Sequence, residues 1–169
     1  ETSGYNLAID SASISTEAQS GANGEWLIDP RNVTISNGSN SGISGYTANL
    51  DSAVINVSTL TNALESSDVT VFTGSTGNTQ AGNITVSSVI TSSGTGNLTL
   101  RAAGNIVINA DITLSSSGGL TLRSGTGSVS GTGVLNLSGG TTLQIAHGNS
   151  ISNNIVVGSR GANIKLFDQ

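Results

Sequence analysis

The sequence predicts an all-β chain wound as a parallel β-helix (a β-solenoid), with coils of about 22 residues and loop insertions in its N-terminal half. Three observations predict it. Apolar positions recur at one offset: Ile84 and Val86 return as Ile106 and Ile108, Leu98 and Leu100 as Leu120 and Leu122, and Ile90 as Ile112, each 22 residues later. Within each unit, apolar residues alternate with polar ones, the period of two that marks a strand buried on one face. Gly-Asn, Ser-Gly and Gly-Thr pairs separate the apolar spots and supply the backbone angles that tight turns need.

In residues 82–169 the unit repeats four times, opened by Gly82, Gly104, Gly127 and Gly148. Leu143 and Ile145 follow at a spacing of 23, and Ile164 and Leu166 at 21 after those. Each unit holds about three short strands, one coil of the solenoid. Coils stack at ~4.8 Å, so four of them rise roughly 19 Å. Ile84, Ile106 and Val129 are expected in one interior column, Leu98, Leu120 and Leu143 in a second, and Leu100, Leu122, Ile145 and Leu166 in a third. Burying each such side chain contributes roughly 1.5–3 kcal/mol. One coil cannot cover its own apolar face, so stability is a property of neighbours. Asn83, Asn105 and Asn149, with Ser128 in the third unit, fall at equivalent turns and are expected to form an amide ladder in which stacked side chains bond one another. Gln169 follows "NIKLFD" with no polar cap, so the array is expected to continue in a longer parent protein.

Residues 1–81 carry the same triplets less regularly: Leu7/Ile9, Val33/Ile35, Ile55/Val57 and Val69/Val71. Ile35 and Val57 are again 22 apart, which extends the β-helix backwards. Insertions at 16–25, 36–49 and 73–81, such as "SNGSNSGISG", read as loops leaving the coil. In "STLTNALES" a short helix is expected near 59–65, capped by Ser58 or Thr59, with Leu60, Ala63 and Leu64 facing inward. The chain thus divides into irregular coils over 1–81 and regular coils over 82–169.

Composition narrows the function. Ten acids stand against five bases, and no cluster of Lys and Arg exists to displace counterions from phosphates, which argues against a nucleic-acid partner. There is no cysteine, hence no disulfide frame or thiolate metal site. No apolar run approaches a membrane span, so no membrane insertion is expected. His147 is the sole histidine, and "QIAHGN" offers it no catalytic or metal partner. Glycoside hydrolysis needs two carboxylates flanking one bond. The acids here are dispersed, with Glu25 and Asp29 the best pair, and Asp29-Pro30 reads as a rigid turn. No enzymatic activity and no cofactor are expected.

The blocks "GEWLIDPRNVTIS" (24–36), "INVSTLTNALESSDVTVFTGS" (55–75) and "GNITVSSVI" (82–90) resemble, in that order, the shaft sequence of the filamentous haemagglutinin and high-molecular-weight adhesin family of large bacterial exoproteins. The resemblance covers nearly the whole chain. It implies a right-handed β-helix, secretion to the bacterial surface through an outer-membrane pore partner, and attachment to a host-cell glycan or surface protein. The amino-terminal secretion signature of that family is not found, so the resemblance is to shaft or binding region.

Several residues are candidates for a ligand surface. Tyr46 lies inside an insertion, away from the apolar columns, and residues 16–49 are expected to carry recognition; Trp26 leads a strand triplet and reads as core. Arg101 and Arg123 should stack one coil apart, where like charges are unfavourable unless solvated or shared by an anion, such as a sulfated or sialylated glycan. Asn-x-Ser/Thr triplets at Asn32, Asn37, Asn56, Asn83, Asn97 and Asn136 are glycosylation candidates by motif, and the resembled adhesins carry sugars on such asparagines. The competing classes are a β-helix carbohydrate-binding or carbohydrate-active protein and an ice-binding solenoid. For the latter, Thr99 over Thr121 starts a hydroxyl ladder that Gln144 and Lys165 interrupt.

Overall fold

The computed structural model describes residues 25–28, 32–42, 52–73, 80–138, 142–147, 150–151, 156–159 and 163–168. They form a parallel β-solenoid of about 4 turns with coils of ~23 residues. Three sheets make its faces. The first face stacks β1 (Glu25–Ile28), β4 (Asp68–Phe72), β7 (Leu98–Ala102), β10 (Leu120–Ser124), β13 (Thr142–His147) and β16 (Asn163–Asp168) in that order. The second stacks β3 (Ala53–Asn56), β2 (Val33–Ser36), β5 (Ile84–Val86), β8 (Ile106–Ile108), β11 (Ser128–Gly131) and β14 (Ser150–Ile151). The third stacks β6 (Ile90–Ser92), β9 (Ile112–Leu114), β12 (Val134–Leu137) and β15 (Val156–Ser159).

The expected columns exist. Ile84 pairs with Ile106 and Ile106 with Val129 on the second face. Leu98, Leu120 and Leu143 run in register on the first face, beside Leu100, Leu122, Ile145 and Leu166. Ile84, Ile106, Leu98 and Leu120 are fully buried. One apolar cluster runs from Val33 to Ile145, so the irregular and regular halves share a single core. Strands this short, as in "ITV" and "IVI", are β-branched at the inward positions, which suits a pleated and half-buried surface.

The corners hold the coils in register through polar ladders, and here the structure departs from stacked amides bonding one another. Each side-chain oxygen instead accepts a backbone N–H of the following coil: Asn83 Oδ1 from Asn105 at 2.7 Å, Asn105 Oδ1 from Ser128 at 2.9 Å, and Asn97 Oδ1 from Gly119 at 2.7 Å. Asp111 Oδ1 accepts from Val134 in the same way at the corner before the third face. The physical reason is geometric. At a turn the backbone N–H leaves the sheet ladder unpaired, and a short amide one coil below can reach it. Asn149 lies outside the described residues.

The N-terminal coils differ from a simple backward extension. Ile35 pairs with Ile55 on one side and Val86 on the other, not with Val57. The spacing between Ile35 and Val57 is a coincidence, because the chain steps outward after β2 and returns as β3 on its far side. Val57 opens helix α1 (Val57–Leu64), whose cap is Asn56 rather than Ser58 or Thr59. The Asn56 side chain accepts N–H bonds from Ser58 at 2.9 Å and Thr59 at 3.4 Å, as an extended N-cap residue does. Leu60, Ala63 and Leu64 point into the core, and α1 lies against β6 at the start of the third face. Its Leu64 carbonyl accepts from Gly96 N at 3.0 Å. Gly96 is required there, since a Cβ would run into the Ser67 and Leu64 carbonyl oxygens.

Candidate functional site

Alternation on the first face leaves two columns pointing outward. One runs Thr99, Thr121 and Gln144, continuing by register from the buried Thr70. The other runs Phe72, Arg101 and Arg123, followed in register by the buried Ala146. Arg101 and Arg123 therefore stack one coil apart, as their spacing implies, and both are exposed. Arg101 is steadied from below: its Cζ lies 4.7 Å from the centroid of the Phe72 ring, within cation–π range. Among the described residues neither guanidinium has a carboxylate partner. The first face so presents two adjacent cations, an aromatic ring and flanking threonine hydroxyls.

Three carboxylates, Asp68, Asp111 and Glu65, are bonded elsewhere. Asp68 Oδ1 accepts both the backbone N–H and the Nδ2 of Asn97, at 2.8 and 2.9 Å. Asp111 closes a corner, and Glu65 Oε1 accepts from the Ser92 hydroxyl at 3.3 Å. No group of three or more acids, histidines or cysteines suited to a metal ion occurs among the described residues. Glu25 pairs with Asp68 by register, and Asp29 lies outside the described residues.

The six glycosylation candidates separate by what their amides do. Asn97 Nδ2 donates to Asp68, Asn56 Nδ2 to the Gly38 carbonyl at 3.0 Å, and Asn136 Nδ2 to Thr113 Oγ1 at 3.5 Å. Asn32 and Asn83 are half-buried, and their Oδ1 atoms accept from Asn83 N and Asn105 N, both at 2.7 Å. Asn37 is thus the exposed triplet asparagine whose side chain, both oxygen and nitrogen, is without a partner among the described residues.

Tyr46 lies outside the described residues. Trp26 pairs with Val69, at the register position of the inward Leu98 column. One juxtaposition escaped the sequence reading. His147 is in register with Ser124 on one side and Asp168 on the other. The local sequence around His147 shows no partner, but coil spacing brings both to it. Ser124 is fully buried, and its hydroxyl donates to the Gly127 carbonyl at 3.2 Å, so it is not presented to a substrate as a nucleophile must be.

The class these features define is a parallel β-solenoid with an apolar interior, polar corner ladders and one cationic outward column. Comparison with known proteins finds no matching family model, no matching curated protein and no matching solved structure.

Proposed function

We propose that the chain is a segment of a secreted or surface-exposed bacterial adhesin, a non-enzymatic shaft that holds attachment surfaces away from the cell. On this reading a pore partner in the outer membrane exports the parent protein, and the ligand is an anionic glycan or a glycan-bearing surface protein of the target cell. The supporting observation is the Arg101–Arg123 pair: two exposed cations one coil apart, one stacked on Phe72, with no carboxylate partner among the described residues. Such a pair favours a ligand that places anionic groups between them, because guanidinium forks bind carboxylate or sulfate oxygens in pairs. Tyr46 and the 16–49 insertions form the second proposed contact surface.

The test is binding to immobilised sulfated, sialylated and neutral glycans by the wild type, Arg101→Ser/Arg123→Ser and Tyr46→Ala. Retention on the anionic glycans is expected, weakening as salt rises and falling at least tenfold in the double arginine variant. Equal retention on neutral glycans, or undiminished binding by both variants, overturns the reading.

A further inference from the structure

The N-terminal end of the second face has a feature that stacking alone does not require. Residues 37–42 double back along the outer side of β3, the last described strand of that face. In a strand, alternate residues direct their N–H and C=O to opposite sides. Ala53 donates to the carbonyl of Asn32, just before β2, so the N–H groups of Ser52, Val54 and Asn56 face the other way, where another strand could pair. Each outward N–H is occupied. Val54 exchanges both bonds with Ser41, accepting at 3.1 Å and donating at 2.9 Å, the one antiparallel bridge among the described residues. Asn56 N donates to Asn40 Oδ1 at 2.7 Å, while Asn40 Nδ2 reaches Thr59 Oγ1 of α1 at 3.1 Å. Ser52 N donates to Gln80 Oε1 at 3.0 Å.

Gln80 closes the corner as well. Its Oε1 also accepts from Asn32 N at 3.1 Å, taking the place an asparagine of a preceding coil would fill. Gly42 lets the strap leave: its φ is +67°, and a Cβ there would press on Ala53. With α1 across the start of the third face, two of the three faces are closed on this side.

We infer that residues 37–42, with Gln80, form an edge guard that keeps the N-terminal end of the solenoid from pairing with a second copy of this chain. Open strand edges template association, and proteins blunt them by covering the edge or interrupting its hydrogen bonds. A bare β3 would offer three N–H groups and the flat end of a stack, a surface complementary to itself under two-fold symmetry. The inference does not depend on the chain being an adhesin.

The test opens the guard with Asn40→Ala/Ser41→Pro, which removes the Asn56 acceptor and the Ser41 donor. Wild type is expected to sediment as a monomer, and the variant to form concentration-dependent dimers while keeping its β-sheet circular dichroism. Adding Val54→Lys, an outward charge on the bared edge, is expected to restore the monomer. A folded variant that stays monomeric overturns the inference. Hydrogen exchange on the wild type supplies an independent reading that no folding failure can confuse. The Val54 and Asn56 amides should be protected at least a hundredfold over free peptide, and exchange at free-peptide rates overturns the inference.

Discussion

Ile106→Asp places a carboxylate between Ile84 and Val129 in a column with no solvent access, where it has no partner to compensate its lost hydration. A loss of several kcal/mol is expected, read as a large fall in the urea midpoint or outright failure to fold. Asn83→Ala tests the corner ladder more gently. It strips the acceptor from Asn105 N, and about 1–3 kcal/mol should be lost. Asn37→Ala, whose side chain has no bond among the described residues, should stay within about 0.5 kcal/mol of wild type in the same titration. Residues of this kind were legible in the sequence to the extent that they repeat. Ile106 and Asn83 recur at the coil spacing and so announce their columns. Gln80, Asn40 and Ser41 act once, across 28, 16 and 13 residues of chain (Ser52, Asn56 and Val54), and no periodicity could flag them.

At the level of the element, α1 shows what pattern reading finds and what it misses. The spacing of Leu60, Ala63 and Leu64 gave the helix and its buried side. The cap escaped because Asn56 sits between Ile55 and Val57 in what reads as a strand triplet, whereas it closes β3 and opens α1 at once. Asn56→Ala should cost about 0.5–2 kcal/mol through the cap, and more if the Gly38 carbonyl it holds is also released. Thermal unfolding followed by circular dichroism measures it, with Asn62→Ala on the exposed side of α1 as the neutral reference. The order of β3 outside β2 was illegible for a different reason. Short apolar triplets fit any neighbour equally well, so their partner is set by the path of the chain between them. The 22-residue offset from Ile35 to Val57 mimicked a coil where the chain in fact reverses.

Over the whole molecule, coils coupled only to their neighbours should tolerate loss of one complete unit. Deleting residues 98–119 joins Asn97 to Leu120 and restores every column, with Leu120 over Val69 and Val129 over Ile84. The shortened chain is expected to keep a cooperative transition and a β-sheet spectrum. Deleting 98–108, half a coil, throws the faces out of register and should abolish both. The cationic column was legible in the sequence because Arg101 and Arg123 share the coil spacing, whereas Phe72 under Arg101 was not, since their separation in the chain is longer than one coil. Register is the claim on which the columns, the ladders and the cationic face all depend. A chain without cysteine allows it to be measured cleanly by nitroxides placed on introduced cysteines. Labels at Thr99→Cys and Thr121→Cys, stacked on the first face at a strand spacing of ~4.8 Å, should show strong dipolar broadening. A pair at Thr99→Cys and Thr113→Cys, on different faces, should not. Equal spectra from the two pairs, without broadening in the first, would contradict the stacked register.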